Sequence, residues 1–265
     1  MTKYLFFMIF SIPFIPADKK FTAKRAAMMK FFFTLGDLLT SLVPFPRWRE
    51  NLRVVQLYDF RRKYRALRHA FPNMPFGHVK MVKGGWNIGF IVDRKYVFKI
   101  RKSFDGGARV DKIIREKRIT DAFSGISPIA IPNIDIIESD GLTFYKYDFI
   151  PGQNLNRFSR RTIMRHREKW GRQIARFIHA VHTSDPAEIG DLKSGDGDGW
   201  NHNDICNNII VNPKTMDIVG LIDWEYSGWG TLQTEFDNTV AFSTAMRQSG
   251  IQDVVIREYK KLTKD

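Results

Sequence analysis

Residues 201–212 read NHNDICNNIIVN, and residues 217–230 read DIVGLIDWEYSGWG. Two aspartates, Asp204 and Asp223, therefore stand 19 positions apart, and each adjoins a short apolar run, IIV or IVGLI. A turn-like PKTM sequence separates the two runs. The pattern predicts a β-hairpin that presents one carboxylate near each end.

Two carboxylates in this arrangement suit the transfer of a phosphoryl group to a hydroxyl. One carboxylate can accept the proton of the attacking hydroxyl. The other, together with an amide side chain, can hold magnesium on a triphosphate. Because such a reaction otherwise needs little more than alignment and positive charge on the phosphates, the stretch indicates phosphotransferase chemistry.

A glycine-rich turn lies upstream, between strand-like segments. HVKMV (78–82) alternates in polarity, KGGWNIG (83–89) follows it, and FIVDRKYVFKIRK (90–102) holds two β-rich runs around a turn. Glycines allow backbone N–H groups to approach phosphate closely. An ordinary hairpin turn is the alternative interpretation. The candidate phosphate-binding residues are Gly84, Gly85, Asn87 and Gly89.

A lysine lies inside the second β-rich run. Lys99 is surrounded by the apolar residues of VFKI, where a charge is costly unless it is paired. Residues 106–125, GGARVDKIIREKRITDAFSG, predict a helix that carries Glu116. We expect Glu116 to pair with Lys99, and the alternative is a solvated charge on the helix surface.

These motifs together resemble those of a known enzyme family. The H-N-D stretch with its following asparagine and strand, and I-D-W-E-Y, resemble the choline/ethanolamine kinase and aminoglycoside phosphotransferase branch of the protein-kinase-like superfamily. GGWNIG, VFKI, REK and EFDNTVAF come in the expected order. The I-D-W-E-Y stretch looks most similar to bacterial choline and thiamine kinases. The resemblance covers roughly residues 78–245 and implies a two-lobed α+β fold, with a small β-rich lobe and a mainly helical lobe.

The resemblance also implies a role for individual residues. Asp204 would be the catalytic base, with His202 supporting its loop, and Asp223 would bind Mg²⁺. Lys99 would hold the phosphates of ATP and Glu116 would orient Lys99. The remaining implied residues are the backbone of Asp148, Phe149 and Ile150 at the adenine edge, and Asp237 as a structural aspartate.

The catalytic loop departs from the family pattern by one residue. The family places its metal-binding asparagine five positions after the catalytic aspartate, where this chain has Ile209. The nearest amides are Asn207 and Asn208. We expect a tightened loop in which Asn208 still reaches the metal. The alternative is a catalytically impaired pseudokinase that binds nucleotide or a partner at the membrane surface.

The phosphoryl acceptor is left open among choline, ethanolamine, a related amino alcohol, thiamine and a sugar in surface-glycan synthesis. A quaternary ammonium acceptor would require an aromatic cage. Trp224, Tyr226 and Trp229 are candidates for that cage, with ordinary packing as the alternative. Glu225 and Trp224 are expected to face the acceptor.

The N-terminal segment differs from the rest in charge and hydropathy. Residues 1–75 hold 14 Lys and Arg against 4 Asp and Glu, which is +10 of the chain's net charge of +14. The apolar run at 4–16 is too short to span a bilayer, and residues 21–45 resemble an interfacial helix. Contact with an anionic membrane is one interpretation. Packing on the kinase unit or in a homodimer is the other, and a nucleic-acid partner is not expected.

The sequence therefore predicts three parts. They are a basic, apolar helical segment (1–75), a nucleotide-binding lobe (76–150), and a lobe with the catalytic loop and acceptor site (151–265). A hydrophobic share of 43% and a charged share of 26% indicate a globular chain. With only Cys206 present, no intrachain disulfide can form. Use of ATP predicts a cytoplasmic enzyme. Peripheral attachment to the inner face of the cytoplasmic membrane is a further expectation.

Overall fold

The computed structural model describes residues 57–83, 87–101, 110–241 and 243–264. The apolar run, most of the basic N-terminal segment, and the two glycines Gly84 and Gly85 lie outside the described residues. Predictions that concern them therefore stay predictions.

The first lobe is built on an antiparallel sheet of five strands, in the order β1-β2-β3-β5-β4. The alternating sequences on either side of tight turns form these strands, as expected for half-buried β structure. The Asp-Arg-Lys turn joins β2 to β3, and residues 93 and 94 there adopt positive φ. The strands are β1 (Val79–Lys83), β2 (Asn87–Val92), β3 (Tyr96–Arg101), β4 (Asp135–Ser139) and β5 (Leu142–Asp148).

Two helices, α1 (Leu57–Ala70) and α2 (Val110–Phe123), accompany the sheet. Helix α1 packs Leu67 into an apolar cluster with sheet residues, among them Phe90 and Phe98. Helix α2 divides its apolar side chains between the lobes. Ile113 packs beside Tyr145 of the sheet, whereas Ile119 and Phe123 belong to the core of the second lobe.

The second lobe is mainly helical and is organised around α3 (Arg160–His182). Ser159 caps the start of α3 by accepting a hydrogen bond from the Thr162 backbone. The apolar face of α3 is buried and includes Trp170. The lobe's other helices are α4 (Ile205–Asn208), α5 (Leu232–Asn238), α6 (Thr244–Arg247) and α7 (Ile251–Leu262).

Short strands in the second lobe hold the two sequence motifs. Strand β6 (Gln153–Asn154) pairs with β8 (Ile209–Val211), which pairs antiparallel with β9 (Ile218–Leu221). A further pair joins β7 (Gly199–Asn201) to β10 (Gly228–Gly230). The β8–β9 pairing confirms the predicted hairpin. Asp204 precedes its first strand and Asp223 follows its second.

The architecture confirms the predicted fold class, an α+β chain with a sheet lobe and a mainly helical lobe. Within the described ranges, no helix has the length and the apolar character needed to cross a membrane.

Candidate active site

Two asparagine side chains hold Asp204, the candidate base, in its loop. Asp204 is the residue before the single-turn helix α4. The Asn207 amide donates to Asp204 Oδ1 at 3.1 Å, and the Asn208 amide donates to Oδ2 at 2.9 Å. The Asn208 amide also donates to the Asp204 backbone carbonyl at 2.9 Å. Burial raises the pKa of the Asp204 carboxyl, and the two amides oppose this rise.

His202 is a neutral ring that contacts the backbone of the Asp204 loop. Its Nδ1 accepts the Asp204 backbone N–H at 3.2 Å, so its Nε2 is the nitrogen that donates, to the Ile222 carbonyl at 3.2 Å. The ring is fully buried and packs edge-on against Trp224. Burial lowers the pKa of His202 to about 4. The imidazole therefore positions Asp204 and does not exchange protons near neutral pH.

A second buried acid, Glu235, holds the loop from the other side. Its Oε2 accepts the Asn203 backbone N–H at 3.0 Å, while its Oε1 has no hydrogen-bond partner among the described residues. Burial raises the pKa of Glu235 to about 7. The expected structural aspartate, Asp237, instead bonds to Gln233 at 3.0 Å in an exposed position. On this helix the acid that faces inward is Glu235, two residues before Asp237.

Lys99 and Asp223 meet directly across the cleft between the lobes. Lys99 Nζ lies 2.5 Å from Asp223 Oδ1 and 3.7 Å from Glu116 Oε1. Burial alone would lower the pKa of Lys99, but the charges of Asp223 and Glu116 outweigh it and raise that pKa well above its usual value. Burial would likewise raise the pKa of Asp223, yet Lys99 holds it below the usual value. Both groups are therefore charged at neutral pH.

Glu116 is fixed by two donors besides Lys99. The Tyr145 hydroxyl donates to Oε2 at 3.0 Å and the Trp224 backbone N–H donates to Oε1 at 3.1 Å. This carboxylate is only 2% exposed, so it is no solvated helix charge. Tyr145 could not be predicted from a local pattern, because its contact with Glu116 depends on β5 pairing with β3.

A second pair of charges ties the strand of Lys99 to the segment after Asp223. Arg101 lies 2.7 Å from Glu225, and both side chains are nearly buried. The Arg115 guanidinium of α2 donates to the Ser227 carbonyl. Glu225 was expected to face the acceptor. In the structure its carboxylate is instead engaged in an ion pair with the sheet lobe.

The three candidate cage aromatics do not converge. Trp224 is 1% exposed and packs against Phe123 and Phe177 in the core. The ring face of Trp229 is covered by Lys193, whose Nζ lies 4.3 Å from the ring centroid. Tyr226 is 47% exposed. The interpretation that these rings are packing residues is correct for Trp224, and a cage built from all three is excluded.

The adenine edge was expected at Asp148, Phe149 and Ile150, which follow the end of β5. The Phe149 N–H donates to the Lys95 carbonyl at 2.7 Å, so this donor is already used within the sheet lobe. Backbone groups alternate in direction along an antiparallel strand, and those of Asp148 therefore point to the opposite edge. Because β4 ends its pairing with β5 at Lys146, this edge is open at Asp148.

Asn87 and the proposed metal ligands complete the predicted set. Asn87 begins β2, is buried, and pairs with Arg101 across the sheet. Asn208 donates its side-chain Nδ2 to Asp204, which leaves its side-chain Oδ1 available as a ligand. That oxygen and the Asp223 carboxylate are hard donors of the kind that Mg²⁺ prefers, and they would hold the ion. No cluster of three or more His, Cys, Asp or Glu that could hold a metal occurs within the described ranges.

Comparison with known proteins bears on the fold. No family model matches the chain, and no curated protein matches it. Many solved structures do match. An aminoglycoside phosphotransferase of the 2″ class, bound to GDP and kanamycin, superposes with a TM-score of 0.59 at 15% identity, covering 76% of this chain and 87% of the other. The fold is that of the aminoglycoside phosphotransferases.

Two further structures agree with this assignment of the fold. A second 2″-class aminoglycoside phosphotransferase, in a ternary complex with streptomycin and ATP, superposes with a TM-score of 0.57 at 15% identity, covering 74% and 83% of the two chains. The macrolide 2′-phosphotransferase of Brachybacterium faecium gives 0.51 at 12% identity, covering 75% and 81%. The neighbours thus include aminoglycoside and macrolide phosphotransferases, and the expected protein-kinase-like architecture is confirmed.

Proposed function

We propose that this protein is an ATP-dependent phosphotransferase that phosphorylates a hydroxyl group of a small molecule. The observation that carries the proposal is the ion pair of Lys99 with Asp223, 124 residues apart, with Glu116 beside it. A buried lysine flanked by two carboxylates suits phosphate binding and is an expensive arrangement for stability alone. The fold neighbours that bind GDP, ADP or ATP support the proposal.

The proposed reaction assigns each group a physical task. The acceptor oxygen attacks the terminal phosphorus of ATP, the bond from that phosphorus to the bridging oxygen breaks, and ADP leaves. Asp204 takes the hydroxyl proton, and its raised pKa makes it a better base than an exposed aspartate. Lys99 balances charge on the phosphates while Glu116 fixes its position.

Magnesium fits the residues present. Asn208 and Asp223 would hold it, and when bound it would neutralise charge on the triphosphate. The one-residue-short loop is compatible with this role, because Asn208 is anchored to Asp204 at both the side chain and the backbone.

For the acceptor we propose a polyhydroxylated, sugar-like compound. The cage required by a quaternary ammonium group does not form, since Trp224 is buried and Lys193 covers Trp229. Kanamycin, gentamicin and streptomycin occur in the fold neighbours' complexes. Amino alcohols and thiamine belong in the test as competing acceptors.

The test is ADP or GDP release with Mg²⁺ and ATP or GTP against a panel of sugars, aminoglycosides, choline, ethanolamine and thiamine. We expect acceptor-dependent turnover in the wild type and a loss of roughly 10²-fold or more in Asp204→Asn, since the base is removed while shape is kept. Asp121→Asn, a surface aspartate paired with Lys117, serves as the matched control and should retain full turnover.

A second function, nucleotide binding without turnover, is favoured by one observation. Both oxygens of Asp204 already accept an amide hydrogen bond, from Asn207 and Asn208. Tight nucleotide binding by calorimetry with no turnover on any acceptor would support that function and contradict the proposed enzyme.

A further inference from the structure

One face of helix α3 is a row of arginines. Arg161, Arg165, Arg172 and Arg176 follow one another at intervals of four, seven and four residues, and all are exposed. Such intervals place side chains on the same face of a helix. The row spans about 22 Å at 1.5 Å per residue, on the side opposite the buried Trp170.

None of these four arginines takes part in an ion pair in the part of the chain that the structure describes. Elsewhere on the surface, cations are commonly paired, as Lys117 is with Asp121 and Lys193 is with Asp185. Unpaired guanidinium groups of like charge repel one another. A row of four thus costs the free protein stability, which an anionic partner would offset.

Helix α7 extends the row into a surface. Gly171 lets α7 approach, since a Cβ there would lie 2.4 Å from Val254. The one acid in the middle of the row, Glu168, is paired with Arg257 of α7 at 2.5 Å. We call the four arginines together with Arg257, Lys260 and Lys261 the basic face; Lys260 and Lys261 are also exposed.

We propose that the basic face docks on the anionic surface of a phospholipid membrane. Guanidinium groups bind phosphate strongly, and a long, nearly straight row fits an extended surface of headgroups. Met164, 43% exposed, lies between Arg161 and Arg165 in sequence and offers an apolar contact. The apolar, basic sequence of residues 4–45 suits the same partner, because its apolar residues can enter a lipid interface while its cations meet the headgroups. The proposal does not rest on the phosphotransferase function.

The first test measures the partition of the full-length protein onto vesicles of phosphatidylcholine with 0–40% phosphatidylglycerol. The four-arginine variant, with Gln at 161, 165, 172 and 176, should lose about tenfold or more of its binding to anionic vesicles, because each basic residue near such a surface contributes. The control removes three exposed charges of the first lobe outside residues 1–75, as Lys80→Gln, Arg94→Gln and Lys95→Gln. It should bind nearly as well as the wild type.

The second test separates the basic face from the N-terminal segment. Cys206 is the sole cysteine and is buried, so Met164→Cys can be labelled selectively with an environment-sensitive fluorophore. Its emission should shift to the blue on anionic vesicles and stay unchanged on neutral ones. The same label at Glu138→Cys, on the exposed side of β4, should not shift.

Three results would overturn the proposal. They are equal vesicle binding by the four-arginine variant and its control, an unshifted label at position 164 on bound protein, and no binding of the wild type to anionic vesicles. Loss of duplex or single-stranded RNA binding in the four-arginine variant, with vesicle binding unchanged, would assign the face to nucleic acid instead.

Discussion

Glu235 is a buried acid that contacts the loop of Asp204, the proposed base. Its carboxyl group is 1% exposed, one oxygen holds the Asn203 N–H, and the other has no partner among the described residues. A buried carboxylate with an unpartnered oxygen is costly when charged. The pKa of about 7 means that the neutral form prevails under mildly acidic conditions.

The stability of the protein should therefore depend on pH through Glu235. Its folded pKa lies above its ordinary value of 4.5, so the stability that its protonation contributes is fully present below about pH 4.5 and is lost as the pH rises through 7. Relative to the wild type, Glu235→Gln should gain on the order of 2–3 kcal/mol of unfolding free energy between pH 4.5 and 7.5. Urea unfolding at four pH values measures this difference.

The difference between variant and wild type also isolates Glu235 from His202. The folded pKa of His202, about 4, lies below its ordinary value of 6.5, so the stability that its neutral form contributes is lost as the pH falls from 6.5 towards 4. That contribution is present in both proteins and cancels. Glu188→Gln, at an exposed acid, is the control. A difference that does not change with pH would contradict the assignment.

At the scale of elements, the contact of α3 with α7 depends on a residue without a side chain. A Cβ at Gly171 would approach Val254 to 2.4 Å, closer than any real contact. Gly171→Ala should therefore lower the unfolding free energy by about 1–2 kcal/mol, since overpacking outweighs the roughly 1 kcal/mol that alanine contributes to a helix. The midpoint of urea unfolding gives the value.

Gly125→Ala is the matched control for this substitution. A Cβ at Gly125 meets no atom within 4 Å, so its stability should stay within about 0.5 kcal/mol of the wild type. If the two variants lost the same stability, the loss would come from the glycine itself and not from the contact between the helices.

The elements themselves were largely predictable from local pattern. Alternation identified β1 to β3, and the periodicity of residues 106–125 identified α2, which starts at Val110. What local pattern could not supply was which side of each element faces inward. EFDN thus predicted Asp237 where the helix turns Glu235 inward, and Trp224 looked like a ligand-facing ring although it lies in the core.

At the scale of the whole molecule, α2 joins the two lobes into one unit. Ile113 packs with the sheet while Phe123 stacks on Trp224, with 6.0 Å between ring centroids, in the second lobe. The helix cannot leave one core without disturbing the other. We therefore expect both lobes to unfold in a single cooperative transition.

Phe123→Ala tests this coupling. Removing the ring should lower the unfolding free energy by about 3–5 kcal/mol and shift the whole transition, including the sheet lobe. Calorimetry with far- and near-UV circular dichroism provides independent readouts. Two separate transitions, of which only one moves, would show that the lobes unfold independently. Ile126→Ala, at a partly exposed side chain after α2, should shift the transition much less.

The charged residues of the candidate site could be predicted from the sequence, whereas the residues that contact them could not. Lys99, Glu116, Asp204 and Asp223 could be chosen because acidic and basic residues beside apolar strands need a reason to be there. Arg101 and Tyr145 could not, because their partners lie 124 and 29 residues away. Such contacts are fixed by the pairing of strands and the closure of the cleft, which no local window contains.

The left-handed backbone of Asn203, with φ of 64°, limits which amino-acid substitutions this position tolerates. A single nucleotide change turns an asparagine codon into one for Asp, His, Ile, Lys, Ser, Thr or Tyr, and never into one for Gly. Of these, only Asp and His are common in left-handed backbone. Asp would add a negative charge beside Asp204, and neither reproduces the amide that donates to the Tyr226 carbonyl. Few single-nucleotide changes at this codon should therefore be tolerated. Glycine, which suits the left-handed backbone best, requires two nucleotide changes.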